Sequence, residues 1–308
     1  MGKTIDKVAI VGVGHVGEMI AFLIGKKNLA NEILLIDRRI SRCNAEAADM
    51  NTALTRLATT PVLLRGAEIE ECSNASLVIV TAAAPVRLGQ TRNQMLSNNA
   101  AVFESIIPRI EDSGFTGTYL IVTNPVDLMT YMLVDRFGIS SDRVVGTGTV
   151  LDTMRLLDIA QDAQINLDGV LCVGEHGENL IVDWGGFGDA EELERRELLR
   201  RKTIDYAYEI VKGKGSTSFG IAQAVLTIVE AMCKGDEGDV LPLSVVLNGE
   251  YGMDNMAVSL PTVIGKDGPR IVEGRLGARS IDSLRETVKM MRETYDEAMR
   301  GESGASAS

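Results

Sequence analysis

Apolar and polar positions alternate between two periods along the first half of the chain. Lys7–Val11 is a short, nearly continuous apolar run of strand length, and His15–Lys27 then sets Met19, Ile20, Leu23 and Ile24 on one side of a helix. The succession repeats. A strand at Glu32–Ile36 is followed by a helix from an N-cap at Ser41 to about Ala58, then by strands at Val62–Leu64 and Leu77–Thr81. A helix at Asn93–Glu111, a strand at Thr118–Val122, a helix at Asp127–Arg136 and a strand at Arg143–Val145 complete the series. Strands alternating with helices predict a doubly wound α/β unit, its parallel sheet covered on both faces.

The second half is less regular. Thr149–Ala163 reads as a helix, and Val170–Val173 and Leu180–Val182 as strands. The charged run Glu191–Lys202 opens a helix extending to about Lys212, its charges forming a solvated face with intrahelical ion pairs. A helix at Thr217–Met232, strands at Val240–Leu247 and Ala257–Ile264, and a helix at Ile281–Met299 make an α+β half. The expected division is residues 1–147 and 148–308, tightly packed because no low-complexity linker separates them. The small, polar ending GESGASAS is expected to be a mobile tail.

Charge narrows the partners. With 43 acidic and 31 basic residues the net charge is −12, which argues against nucleic acid or an anionic membrane surface as the main partner. No stretch approaches the roughly 18 apolar residues needed to span a bilayer. Four separated cysteines without a Cys-x-x-Cys pair fit reduced thiols in a cytoplasmic protein. Only two histidines occur, His15 and His176, which excludes a His-rich metal site and leaves imidazole chemistry to one of the two.

Chemistry first surfaces at Gly12-Val-Gly14-His-Val-Gly17, which follows a strand and opens a helix. Gly12 and Gly14 let the backbone turn sharply and approach a pyrophosphate, while Gly17 lets the helix pack on the strand. Asp37 ends the next strand, twenty residues on, where a carboxylate accepts from ribose hydroxyls. This is the order of a Rossmann-type dinucleotide site. Asp37 favours NAD over NADP, although the neighbouring Arg38 and Arg39 could attract a 2′-phosphate. His15 lies inside the loop with no proton to move.

Three further segments read together. Gly174-Glu-His176-Gly puts an imidazole at a strand end, and Thr149-Val-Leu-Asp152-Thr-Met-Arg155 puts Asp152 and Arg155 at i, i+3 on one helix face. Thr123-Asn124-Pro-Val-Asp127 leaves Asn124 at the carboxyl edge of the sheet, where open α/β sheets bind ligands. With APVRLGQTR at 84–92, these segments, in this order, resemble the L-lactate/malate dehydrogenase family from residue 7 to about residue 299.

The resemblance implies an NAD-dependent dehydrogenase of L-2-hydroxy acids and assigns roles by position. His176 is then the proton donor and acceptor, and Asp152 orients it. Arg155 grips the substrate carboxylate, Arg92 polarises the carbonyl from a mobile loop, and Asn124 positions carbonyl and nicotinamide. Val86 falls where this family contacts the substrate side chain, and Thr217 at the floor of that pocket. Valine cannot pair a second carboxylate, so an apolar 2-oxo acid is expected: pyruvate or a branched-chain analogue. A one-residue shift bringing Arg87 inward would instead favour a malate enzyme. The family also implies a homodimer or homotetramer. Two other classes fit parts of the pattern: an NAD-dependent glycosidase, disfavoured because no Cys–His ligand set is visible, and a non-catalytic NAD-binding module.

Overall fold

The computed structural model describes residues 4–56, 62–85, 90–163, 165, 167, 169–185 and 193–305, with side chains to residue 300. One sheet of 11 strands runs through the chain. Its first part is parallel. Strands β1 (Ile5–Val11), β2 (Ala30–Ile36), β3 (Leu63–Gly66), β4 (Leu77–Val80), β5 (Thr118–Ile121) and β6 (Val144–Gly146) lie in the order β3-β2-β1-β4-β5-β6. The strand order reverses at the β1–β4 boundary, which leaves a crevice outside the carboxyl ends of the strands. Helices α1 (His15–Lys27), α2 (Ile40–Leu54), α3 (Arg92–Asp112) and α4 (Val126–Asp135) connect them. The β1 residues Val8, Ala9, Ile10 and Val11 are all buried, as a central strand covered on both faces requires.

The second part is mostly antiparallel. It comprises α5 (Val150–Asp162), β7 (Leu171–Gly174), β8 (Leu180–Asp183), α6 (Leu193–Lys214), α7 (Phe219–Lys234), β9 (Leu241–Asn248), β10 (Asp254–Gly265), β11 (Gly268–Ile271) and α8 (Ala278–Ala305). The sheet continues β6-β9-β10-β7-β8, with β11 beside β10. Gly146 of β6 faces Ser244 of β9 across the antiparallel junction. The junction is a glycine seam. A Cβ on Gly146 would stand 2.3 Å from Thr130 Oγ1, and one on Gly148 would stand 2.6 Å from the Pro242 carbonyl. The main core is continuous across both parts, and a smaller one gathers Leu156, Leu167, Cys172, Leu199 and Ile204 between α5, α6 and β7.

Most predicted elements occur within one or two residues of their expected bounds, and three expectations need correction. Helix α2 begins at Ile40, not after a Ser41 cap, because the Arg39 carbonyl already accepts from Arg42 and Cys43 N–H. It ends at Leu54, and Ala58 lies outside the described residues. The expected tail is helical as far as Ala305, since extending α8 is cheaper than nucleating a helix. Beyond these, a 3-10 turn at Ile69–Asn74 buries Ile69 and Cys72, and β11 pairs with β10. Gly268 and Pro269 leave β11 without a strand pattern in the sequence.

Candidate active site

The glycine loop is held from both sides. Gly12 adopts φ +102°, and a Cβ there would lie 2.5 Å from Ala82 N at the end of β4. Thr81 Oγ1 donates to the Gly12 carbonyl at 2.6 Å, and a Cβ on Gly17 would fall 2.0 Å from that same oxygen. Gly12 and Gly17 are therefore consumed by packing of the loop itself. Gly14 differs: a Cβ would meet nothing within 4 Å, and Gly14 precedes α1 without a side-chain cap. The first turn of α1 thus presents open backbone N–H groups over free space, a cradle of the kind that holds a pyrophosphate. Asp37 Oδ2 accepts from Val13 N–H at 3.0 Å, which fixes its carboxylate at the end of β2. Arg38 and Arg39 are exposed beyond it. His15 points outward, its side chain 78% exposed and 3.1 Å from Glu18.

The second group forms where α5 meets β7. Thr149 Oγ1 donates to the Cys172 carbonyl at 2.6 Å, and Cys172 N–H donates to Thr153 Oγ1 at 3.0 Å. These two hydroxyls lock α5 against β7 and so fix Asp152 relative to the His176 loop. His176 Nδ1 stands 2.6 Å from Asp152 Oδ2. Asp152 Oδ1 is 3.5 Å from Arg155 Nη1, both side chains being almost wholly buried. Such a pair at i, i+3 would be worth little at the surface. Buried, it sets a carboxylate between an imidazole and a guanidinium. The negative charge of Asp152 raises the His176 pKa above the ordinary imidazole value, against the opposing effect of burial. Desolvation pulls Arg155 down, with Asp152 opposing it.

Arg92 opens α3 and reaches the same loop. Its Nη2 is 2.6 Å from Glu175 Oε1 and 3.4 Å from the His176 carbonyl. Its Nε is buried without a hydrogen-bond partner among the described residues. Glu175 is itself held by Asn179 Nδ2 at 2.7 Å. Asn124 is exposed at the end of β5; its carbonyl accepts from Asn99 Nδ2 at 2.6 Å, and Asn99 Oδ1 accepts from Ala84 N–H at 2.7 Å. Thr217 is half-buried just before α7. Val86 lies outside the described residues.

Sequence reasoning therefore finds the imidazole, its carboxylate and both arginines, which come together around residues 174–177. It misses the parts that hold them. Glu175, Asn99, Thr149 and Thr153 act through one or two polar contacts each and leave no spacing pattern. Asp127 is another such residue. It is wholly buried, its Oδ2 accepts from His176 N–H at 2.8 Å, and burial pushes its carboxyl up to about 6. The signal was present in both cases, an acid standing within a motif already singled out.

Comparison with known proteins agrees with this geometry. Residues 6–146 match the lactate/malate dehydrogenase NAD binding domain, and residues 149–301 the alpha/beta C-terminal domain of the same family. An L-lactate dehydrogenase of Staphylococcus epidermidis is 35% identical, over 96% of this chain and 98% of its own length. One from Lactococcus lactis subsp. cremoris is 32% identical, over 96% and 99%. Among solved structures, the ligand-bound minor L-lactate dehydrogenase from Enterococcus mundtii superposes with a TM-score of 0.86 at 32% identity, covering 96% of this chain and 99% of that one. The malate dehydrogenase from Archaeoglobus fulgidus in complex with NADH gives 0.87 at 31%, covering 95% and 99%. With an open helix N-terminus at Gly14 and an imidazole–carboxylate pair on the same sheet, the chain belongs to the lactate/malate dehydrogenase family and is an NAD-dependent oxidoreductase acting on the CH–OH group of 2-hydroxy acids.

Proposed function

We propose that the chain interconverts a small apolar 2-oxo acid and its L-2-hydroxy acid, as an L-lactate dehydrogenase does, with His176 as the acid–base group. The observation that carries this is the 2.6 Å contact between His176 Nδ1 and the buried Asp152. A proton on Nδ1 is donated to that carboxylate, which leaves Nε2 as the nitrogen that exchanges a proton with substrate oxygen. In reduction, Nε2–H neutralises the charge developing on the carbonyl oxygen; in oxidation, neutral Nε2 takes the hydroxyl proton. Asp152 stabilises the imidazolium in both directions. Arg155 binds the substrate carboxylate through two parallel hydrogen bonds, which fixes which carbon faces the cofactor. Arg92 lends a second guanidinium to the reacting oxygen, and its buried Nε, unpartnered among the described residues, is a donor in want of an acceptor.

Gly14, the first turn of α1 and Asp37 would hold the pyrophosphate and ribose of NAD, with Asn124 beside the nicotinamide. Bound there, the cofactor would supply hydride as NADH in reduction and accept it as NAD+ in oxidation. Cofactor binding falls to residues 1–147, which also lend Val86, Arg92 and Asn124 to a substrate site completed by residues 148–308. Val86 and Thr217 would bound the pocket for the substrate side chain, a pairing that favours pyruvate or a branched-chain 2-oxo acid. Likeness to a malate dehydrogenase keeps oxaloacetate as the second reading. Among the described residues no helix is long and apolar enough to cross a membrane. We place the enzyme in the cytoplasm as a homodimer or homotetramer, a state that light scattering after gel filtration will measure.

The test is NADH oxidation with pyruvate, oxaloacetate, 2-oxoisocaproate and phenylpyruvate. Pyruvate or 2-oxoisocaproate is expected to give the highest kcat/KM. A preference for oxaloacetate would overturn the pocket assignment, and no turnover with any of the four would overturn the proposal.

A further inference from the structure

Asp127 is wholly buried, yet no proton transfer described above uses it. It stands in the first turn of α4, three residues after Asn124. One of its oxygens accepts from His176 N–H at 2.8 Å, and the other lies 3.5 Å from the Ser259 hydroxyl on β10. A single carboxyl group thus joins the segment carrying Asn124 to the loop carrying His176. A neutral acceptor would satisfy one backbone N–H, and burying a carboxylate is far more costly. That cost has a counterpart only if the charge itself acts on something, and the imidazole of the same residue, three bonds from that N–H nitrogen, is a titrating group it faces.

We propose that Asp127 is a positioning residue for the proton transfer, fixing the backbone of His176 and adding a second negative charge beside its imidazolium. This rests on His176 being the acid–base group. The charged groups facing His176 are Asp152 and Arg155 from α5, Asp127 from α4, Glu175 within its own loop, and Arg92 of α3 at its carbonyl. Asp152 and Asp127 both favour the imidazolium, and Arg155 opposes it. Asp127 offsets that opposition from the side of the ring's own backbone.

The Asp127→Asn variant separates charge from hydrogen bond, because the amide oxygen still accepts from His176 N–H. Its expected signature is a pH profile. The alkaline limb of kcat for 2-oxo acid reduction moves to lower pH by about one unit, while KM for the 2-oxo acid is little changed. The same shift is read without substrate. The chain has two histidines, so the His176 imidazole signal is one of two to be assigned. The midpoint of His176 is expected to fall in the variant. An unshifted His176 midpoint in a folded variant overturns the proposal. Asp127→Asn could fail to fold, so the wild-type chain labelled with 15N-histidine supplies a second reading. The His176 backbone amide is expected far downfield at neutral pH, as amides bonded to carboxylates are, and to lose that shift as pH falls through about 6. An amide indifferent to pH in that range overturns the proposal whatever the variant does. Absence of 2-oxo acid turnover in the wild type would instead count against the proposed reaction, and both NMR measurements stand apart from it.

Discussion

The contact between His176 and Asp152 couples an imidazole to a carboxylate that is itself held by Arg155, so the protonation state of one residue sets what the site does at a given pH. Because the His176 pKa is raised, the imidazolium persists to higher pH than an ordinary imidazole's and is lost as pH climbs through that raised value. On the proposed mechanism reduction needs the imidazolium, so it is expected to decline as pH rises through that value, while oxidation rises there; kcat profiles in both directions check this. His176→Gln should lower kcat by about 10²–10⁴-fold with NADH affinity intact by fluorescence titration. Arg155→Lys keeps the charge and loses the fork, so KM for the 2-oxo acid should rise roughly 10- to 100-fold. These residues were legible because each sits in a dense local motif. The burial that gives the Asp152–Arg155 pair its force was not, since i, i+3 spacing makes neighbours without saying what covers them. Asp127 escaped for a related reason: its partner is a backbone amide 49 residues away, and any residue carries one.

At the scale of elements, the loop from β1 to α1 divides its three glycines between two tasks. Gly17→Ala would drive a Cβ to 2.0 Å from the Gly12 carbonyl, so strand and helix must separate. A loss of about 1–3 kcal/mol of stability is expected, read as a lower urea midpoint. Gly14→Ala meets nothing within 4 Å, and φ −96° suits alanine, so stability should be unchanged. Its methyl group instead occupies the space in front of the α1 N-terminus and should weaken NADH binding roughly 10- to 100-fold. Equal effects of the two substitutions on stability would contradict this division. The spacing of the glycines predicts the packing role of Gly17 but assigns the approach to pyrophosphate to Gly12 as well as Gly14, whereas Gly12 packs against Ala82. The start of α2 differs from its expected place because Arg39 caps it through a backbone carbonyl, and the side-chain preference that pointed to Ser41 has no bearing there. Strand β11 was hidden by Gly268 and Pro269, tolerated because it pairs on one side only, with β10.

For the whole molecule, the net charge of −12 stands beside a site that gathers two guanidinium groups, Arg92 and Arg155, the pair proposed to receive an anionic substrate. The interior also carries a charge that opposes folding. Asp127 has a folded-state pKa of about 6, above the 3.8 of an unperturbed aspartate, so the folded chain binds more protons between those values. Stability from this group is present at pH 4 and is lost as pH rises through about 6. Asp127→Asn removes that loss and should gain stability relative to wild type on going from pH 4 to pH 7.5, by something of order 1–3 kcal/mol. Urea unfolding at the two pH values checks it. An acid that costs stability at neutral pH is consistent with one retained for its effect on His176.

The glycine seam bears on how such an enzyme can be altered by recombination. Residues 146–148 look like the natural crossover for a chimera that takes its cofactor half from one relative and its substrate half from another. Yet Gly146 and Gly148 have no room for a side chain against Thr130, Pro242 and Ser244, residues that come from either side of that crossover. A chimera would inherit the two faces of this contact from different parents. Exchange of specificity between relatives is thus expected to succeed by grafting residues 84–92 or the start of α7, and to fail at the crossover unless the Thr130, Pro242 and Ser244 positions travel with the glycines.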